Sequence, residues 1–369
     1  MFANRHPQQV QFVQSLHAAT APLSPGPWNT AVVGPWGIGK TSLLRRFARL
    51  AASHDPPLGV AVLSATSALG SLDAFASMLL RRVEQDLRAQ MSLAERVRRE
   101  VSRWEPRVSL SPLSASRHDG ASYVGLGADL LYSELRRLWN QALETRVAAV
   151  LICLDDVQHI VTREPAALLI LRALFQDLQG AGASFPLVVT GPDDLFDSTT
   201  RSGPSEPVTR FFERMRLSEF SLEDTAAAVR EPLHLSDSKL QVPDEGVAVV
   251  FERTMGHPFF VSLAMRELVN RANDAGTATL DRSFILSNWP SVAARLDADK
   301  FDDEWRSTSR QERAVLAAVA ESRSLREVPN GSAFARRLVA KGLLAHPGRG
   351  VYRLYHPLFA DYVVRHNHE

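Results

Sequence analysis

The stretch GPWGIGKT, residues 34–41, sets three glycines, a lysine and a hydroxyl within one turn of chain. Each type has a chemical use at that spacing. Glycines let a loop turn its N–H groups inward toward an anion, a lysine carries charge to the far end of a phosphate chain, and a threonine hydroxyl is a hard donor for a small divalent cation. The pattern G-x-x-x-x-G-K-[ST] predicts that Gly34, Pro35, Trp36, Gly37, Ile38, Gly39, Lys40, Thr41 and Ser42 wrap a triphosphate. Lys40 then reaches the β- and γ-phosphates, and Thr41 completes the shell of a Mg²⁺ ion.

A phosphate loop needs a carboxylate on a neighbouring strand. In RVAAVLICLDDVQHI (146–160) an apolar run ends in Asp155 and Asp156. Ligands of open α/β sheets gather at the carboxyl ends of the strands. The placement predicts Asp155 as the Mg²⁺ carboxylate, directly or through water, and Asp156 as the group that orients or deprotonates an attacking water. Many ATPases carry glutamate at the second place, and Asp156 is shorter by one methylene. Thr190, closing the apolar run of FPLVVTGP (185–192), is a further polar group at a strand end, placed to sense a γ-phosphate or position the water.

These residues demand elements that hold them. TAVV (30–33) reads as a buried strand, and TSLLRRFARLAA (41–52) as an amphipathic helix with Leu43, Leu44, Phe47 and Leu50 on one face. Between the two motifs, 58–66 reads as a strand, and 71–90 and 130–144 as helices; 106–128, rich in Ser, Gly and Pro, predicts a surface insertion. A helix over 165–179 precedes the 185–192 strand. Strands alternating with helices predict an α/β fold, a parallel sheet sandwiched by helices.

The chain has 369 residues, 45% hydrophobic and 22% charged, with a net charge of +1. That length suits two or three domains. A balanced charge announces neither nucleic acid nor membrane, so any such partner must be met by a local patch. The one cysteine, Cys153, excludes an intramolecular disulfide and a Cys-based zinc site. No apolar run approaches the roughly 20 residues of a membrane span, and the N-terminus lacks the apolar core of a signal peptide. The expectation is a cytoplasmic protein without a membrane partner.

With these residues in hand, the chain resembles the AAA+/STAND group of P-loop ATPases, with the nearest look to archaeal-type and origin-initiator-like members. FANR (2–5) is similar to the family's Phe-x-x-Arg entry, which implies Arg5 near the adenine. LDDVQHI looks like the Walker B segment of that group and of NB-ARC proteins. RFFERMRLSEFSLEDTAAAV (210–229) resembles the segment that joins the core to a helical lid; Arg210 and Arg214 are then candidates to touch a γ-phosphate, in cis or across a subunit interface. TMGHPFFVSLAMREL (254–268) resembles the lid's Gly-x-Pro motif, which implies Pro258 near the base. The resemblance implies a P-loop ATPase core over 1–218, a helical lid over 219–290, a linker over 291–305 and a winged helix over 306–369. It further implies ATP and Mg²⁺ as cofactors, slow hydrolysis, and an ATP-gated switch that assembles on DNA or a protein partner, with room for an ATP-dependent homo-oligomer. Two alternatives stay open: an ATP-gated scaffold with little turnover, and the KAP family of NTPases, whose loop GPWGIGKTS also resembles.

The C-terminal region has its own pattern. SRQERAVLAAVAES (309–322) and GSAFARRLVAKGLL (331–344) read as helices, followed by a hairpin turning through 348–350. From 306 onward eleven basic side chains stand against five acidic ones. In a winged helix, Arg336, Arg337 and Lys341 fall on the recognition helix and Arg349 on the wing, where they would meet DNA phosphates. A protein-docking winged helix is the other reading.

Overall fold

The computed structural model describes residues 5–20, 29–56, 58–65, 72–90, 123–144, 147–196, 206–236, 238–348 and 350–367. Arg349, residues 2–4 of FANR and most of the 106–128 insertion lie outside these residues. The chain divides into two compact units, residues 2–218 and 219–369 with Met1.

The first unit is built on five parallel strands: β1 (Thr30–Val33), β2 (Leu58–Ser64), β3 (Ala149–Asp155), β4 (Leu187–Gly191) and β5 (Glu213–Arg216), in the order β2-β3-β4-β1-β5. β3 is buried along its whole length, as an apolar run covered on both faces must be. Its residues alternate. Leu151 and Cys153 pack with α1 (His6–Thr20) and α2 (Lys40–Ala52); Val150, Ile152 and Leu154 pack with α3 (Leu72–Gln90), α4 (Tyr123–Glu144) and, beyond the one-turn helix α5 (Gln158–Val161), α6 (Ala167–Gly180). Phe12 of α1 stacks on Phe47 of α2 with ring centroids 4.0 Å apart. α7 (Glu206–Phe211) leads into β5. Because β1 lies between β4 and β5, and β3 beside β4, the carboxyl ends of β1, β4 and β3 stand side by side. The motifs leave the sheet there.

The second unit opens with α8 (Leu222–Leu235), whose N-terminus carries a capping box between Ser221 and Asp224. α9 (Asp244–Thr254) and α10 (Pro258–Ala275) follow, the second with Pro258 in its first turn, where a missing N–H does no harm. α11 (Arg282–Leu296) runs through a π-helical turn, Asp297–Phe301, into α12 (Asp302–Arg306), so residues 291–305 are helical. α13 (Arg310–Ala320), α14 (Gly331–Ala340), the antiparallel pair β6 (Leu344–Gly348) and β7 (Val351–Leu354), and α15 (Pro357–His366) complete it. One core joins these elements through Phe260, Phe301 and Phe359. The protein is therefore a parallel-sheet P-loop core flanked by helices, followed by lid-like helices and a small helix–hairpin domain. No helix among the described residues is long and apolar enough to cross a membrane.

Candidate functional site

The loop between β1 and α2 closes on itself. A side chain at Gly34 would bring its Cβ to 3.0 Å from the Leu217 carbonyl oxygen, so the backbones approach as only glycine allows. Gly39 has φ 100° and caps α2, turning the chain directly into the helix. The open N–H groups of the first helical turn then point out of the loop, with the positive end of the helix behind them. Lys40 folds back over this cradle. Its Nζ donates to the carbonyls of Gly34 and Pro35, each at 2.8 Å. Burial lowers its pKa from the ordinary lysine value, while the charges of Asp156, Asp193 and Asp155 push it back up. Trp36 is exposed at the loop's tip.

Asp155 binds three segments together. Its Oδ1 accepts from the Thr41 hydroxyl at 3.2 Å and from the Thr190 hydroxyl at 2.5 Å. The Thr190 oxygen also accepts the backbone N–H of Asp156 at 2.9 Å. Asp156 itself sits at φ 57°, in the left-handed region that aspartate tolerates better than most residues. Lys40, Thr41, Asp155, Asp156 and Thr190 thus meet at the carboxyl ends of β3 and β4 beside the loop. Thr41 and Asp155 present hard oxygens to one point, and Mg²⁺ asks for one or two such protein ligands beside phosphate and water. Among the described residues there is no group of three or more His, Cys, Asp or Glu side chains that could hold a metal by themselves.

Further side chains join the site. Gln158 donates from Nε2 to Asp156 Oδ1 at 3.2 Å, while its Oε1 is buried with no hydrogen-bond partner. Arg216, at the carboxyl end of β5, pairs with Asp193 at 3.1 Å. Arg5 is buried, and its guanidinium donates to the carbonyls of Ile38 in the loop (3.3 Å) and Ser218 at the end of the core (2.6 Å). Gln158 lies inside the LDDVQHI motif, yet it stands past the end of β3 at the start of a one-turn helix, so no strand or helix periodicity ties it to Asp156.

The other expected site residues stand on other elements. Arg214 lies within β5 with its guanidinium 4.4 Å from the Phe196 ring centroid. Arg210 is exposed in the last turn of α7. Pro258 belongs to the second unit, as do Arg336, Arg337 and Lys341. Arg336 and Arg337 are exposed on α14, the latter 5.4 Å from the Phe334 ring centroid. Lys341 Nζ is held by Glu312 at 2.9 Å and by the Ser307 carbonyl.

Residues 27–198 match the family model of the AAA domain. Among solved structures, the chain is similar to the Walker-type ATPase PABY2304 of Pyrococcus abyssi, at 15% identity over 99% of this chain and 96% of that one, TM-score 0.61. It is similar to the ORC2 protein of Aeropyrum pernix in its ADPNP–ADP complexes, at 15% identity over 97% and 90%, TM-score 0.63. It is also similar to the RuvB Holliday junction branch migration motor of Thermotoga maritima, at 14% identity over 96% and 92%, TM-score 0.50. At these identities the shared property is the fold. No curated protein matches the chain in sequence.

Proposed function

We propose, from the match of residues 27–198 to the AAA domain, that the chain is a Mg²⁺-dependent ATP switch whose nucleotide state governs assembly on DNA or a protein partner. The observation that carries this reading is the junction at Asp155, where the loop's Thr41 and the strand-end Thr190 share one carboxylate oxygen. The ORC2 neighbour's complexes with ADPNP and ADP support an adenine nucleotide as the ligand.

In this reading the loop N–H groups and the start of α2 receive the phosphates. Lys40 leaves the Gly34 and Pro35 carbonyls for the β- and γ-phosphate oxygens. Thr41 and Asp155 hold Mg²⁺, which screens phosphate charge when bound. Asp156, kept in place by Gln158 and the Thr190 hydroxyl, takes the proton of the attacking water. Arg5, expected near the adenine, braces the loop from behind through Ile38. Arg210, exposed at the end of α7, is the better placed of the two arginines to reach a neighbouring subunit's nucleotide, since Arg214 stacks on Phe196. Arg336 and Arg337 present charge to DNA phosphates; the RuvB neighbour's description as a branch migration motor supports such a partner by fold analogy alone.

Calorimetric titration with Mg²⁺–ATP tests the binding half. Lys40→Ala removes the cation and should weaken ATP binding by about tenfold to a hundredfold, the range of a lost hydrogen bond between charged groups. Unchanged affinity in a folded variant refutes the assignment.

A further inference from the structure

The small C-terminal sheet leaves one edge open. β7 has β6 as its one strand partner among the described residues. Tyr355 N–H donates to the Leu343 carbonyl, and Arg353 stands opposite Ala345 in the same register. The main-chain groups of Arg353 therefore turn toward β6, and by alternation those of Tyr352 and Leu354 turn away. No hydrogen bond from another described segment meets them.

That edge forms one side of a groove of about 820 Å³. Residues 350–354 line it without a gap. A sheet face would offer alternate residues, whereas an unbroken run is what a strand edge presents. The remaining lining comes from the end of α13 and the turn after it, residues 319, 320 and 322–326, with Ser332 and the start of α15. Arg323, Arg326 and Arg353 belong to this lining and no carboxylate does. Arg323 is tied to Glu321, outside the lining, at 2.6 Å; Arg326 and Arg353 are exposed.

We propose that this edge takes up an extended acidic segment of a protein partner, which adds to β6–β7 as a third strand. The open N–H and C=O groups of Tyr352 and Leu354 supply main-chain bonds, and the arginines select carboxylates on alternate residues of the incoming strand. β7 is four residues long, so the paired segment spans about 13 Å at roughly 3.3 Å per residue. A duplex would use the arginines but has no need of an open strand edge, which is why a peptide fits better. The proposal deepens the reading of the C-terminal domain as the part that carries the partner.

The test uses the full chain without nucleotide and a fluorescein-labelled peptide of alternating glutamate and valine, followed by anisotropy. The acidic peptide should bind. Arg326→Glu with Arg353→Glu should weaken it by about tenfold or more, since like charges then face each other. Replacing the peptide's glutamates with lysine, or N-methylating its amides, should abolish binding. No binding by the wild type overturns the proposal. So does equal binding of the N-methylated or lysine peptide, or a groove that binds duplex DNA through Arg326 and Arg353 and no peptide. Phosphate release measured on the same proteins reads the ATPase separately: peptide binding with no turnover would sink the ATPase reading and leave the groove assigned.

Discussion

Asp155 shows how little freedom the site has at the scale of single side chains. One carboxylate oxygen serves two hydroxyls from different segments, and the neighbouring Asp156 is held in a backbone conformation few residues adopt. Asp155→Asn keeps the shape and removes the charge, so ATP binding should lose most of its Mg²⁺ dependence in a titration with and without the metal. Gln158 is the sharper test of geometry. Its buried Oε1 lacks a partner, an arrangement that costs about 1–3 kcal/mol when no water or ligand relieves it. Gln158→Ala should lower kcat by about tenfold while the ATP dissociation constant stays within about twofold, the pattern of a group that acts in the transition state; a change in affinity alone would contradict it. Lys40, Thr41, Asp155, Asp156 and Thr190 are legible in the sequence because glycine, lysine and carboxylates at those spacings have few other uses. Gln158 and the Arg216–Asp193 pair are not, because each acts through a partner that only the folded backbone brings near.

At the scale of elements, legibility follows burial. β1, β3 and β4 are covered on both faces and read as apolar runs. β5 has only Met215 buried, with Glu213, Arg214 and Arg216 exposed, so an edge strand looks like part of a charged connecting segment. α1 is equally hidden: Phe12, Leu16 and Ala19 are its buried residues among glutamines and histidines. Its ring stack on Phe47 fixes α2 under the loop. Phe47→Ala should cost about 3–5 kcal/mol, read as a lower denaturant midpoint with loss of ATP binding. In the second unit, buried His356 accepts the Leu358 N–H at Nδ1, so its proton sits on Nε2 and is donated to the Thr254 carbonyl at 2.9 Å. A proton on Nδ1 would face that N–H. Burial lowers the folded pKa below the ordinary value of 6.5, against the bond to Thr254 and the charges of Glu219 and Asp361, which raise it. The unfolded chain then binds the proton that the folded one refuses, so stability falls as pH drops below about 6.5. His356→Gln should flatten that dependence in melts from pH 7.5 to 5, at the expense of a lower melting temperature throughout. An unchanged slope would contradict the assignment.

For the whole molecule, the sheet order and the match of residues 27–198 to the AAA domain agree on a P-loop core, and an excess of positive charge lies in the last stretch of the chain, residues 306–369. Only part of that charge is available. Lys341 is held by buried Glu312, which its bonds to Ser309 and Lys341 keep below the usual carboxylate range despite the opposing effect of burial. Counting lysines and arginines could not show that. Arg336→Ala with Arg337→Ala should weaken duplex binding and flatten its salt slope by about one unit for each phosphate left without its arginine, whereas Lys341→Ala should lower stability with little change in slope. The account stands or falls on the core. Steady-state phosphate release from ATP, measured for the wild type and Asp156→Asn side by side, tests it most directly. The account predicts Mg²⁺-dependent release by the wild type, and an Asp156→Asn protein that binds ATP but releases phosphate at least about a hundredfold more slowly, as expected when general base catalysis is removed. Release at the same rate by both proteins, or none by the wild type, would contradict it.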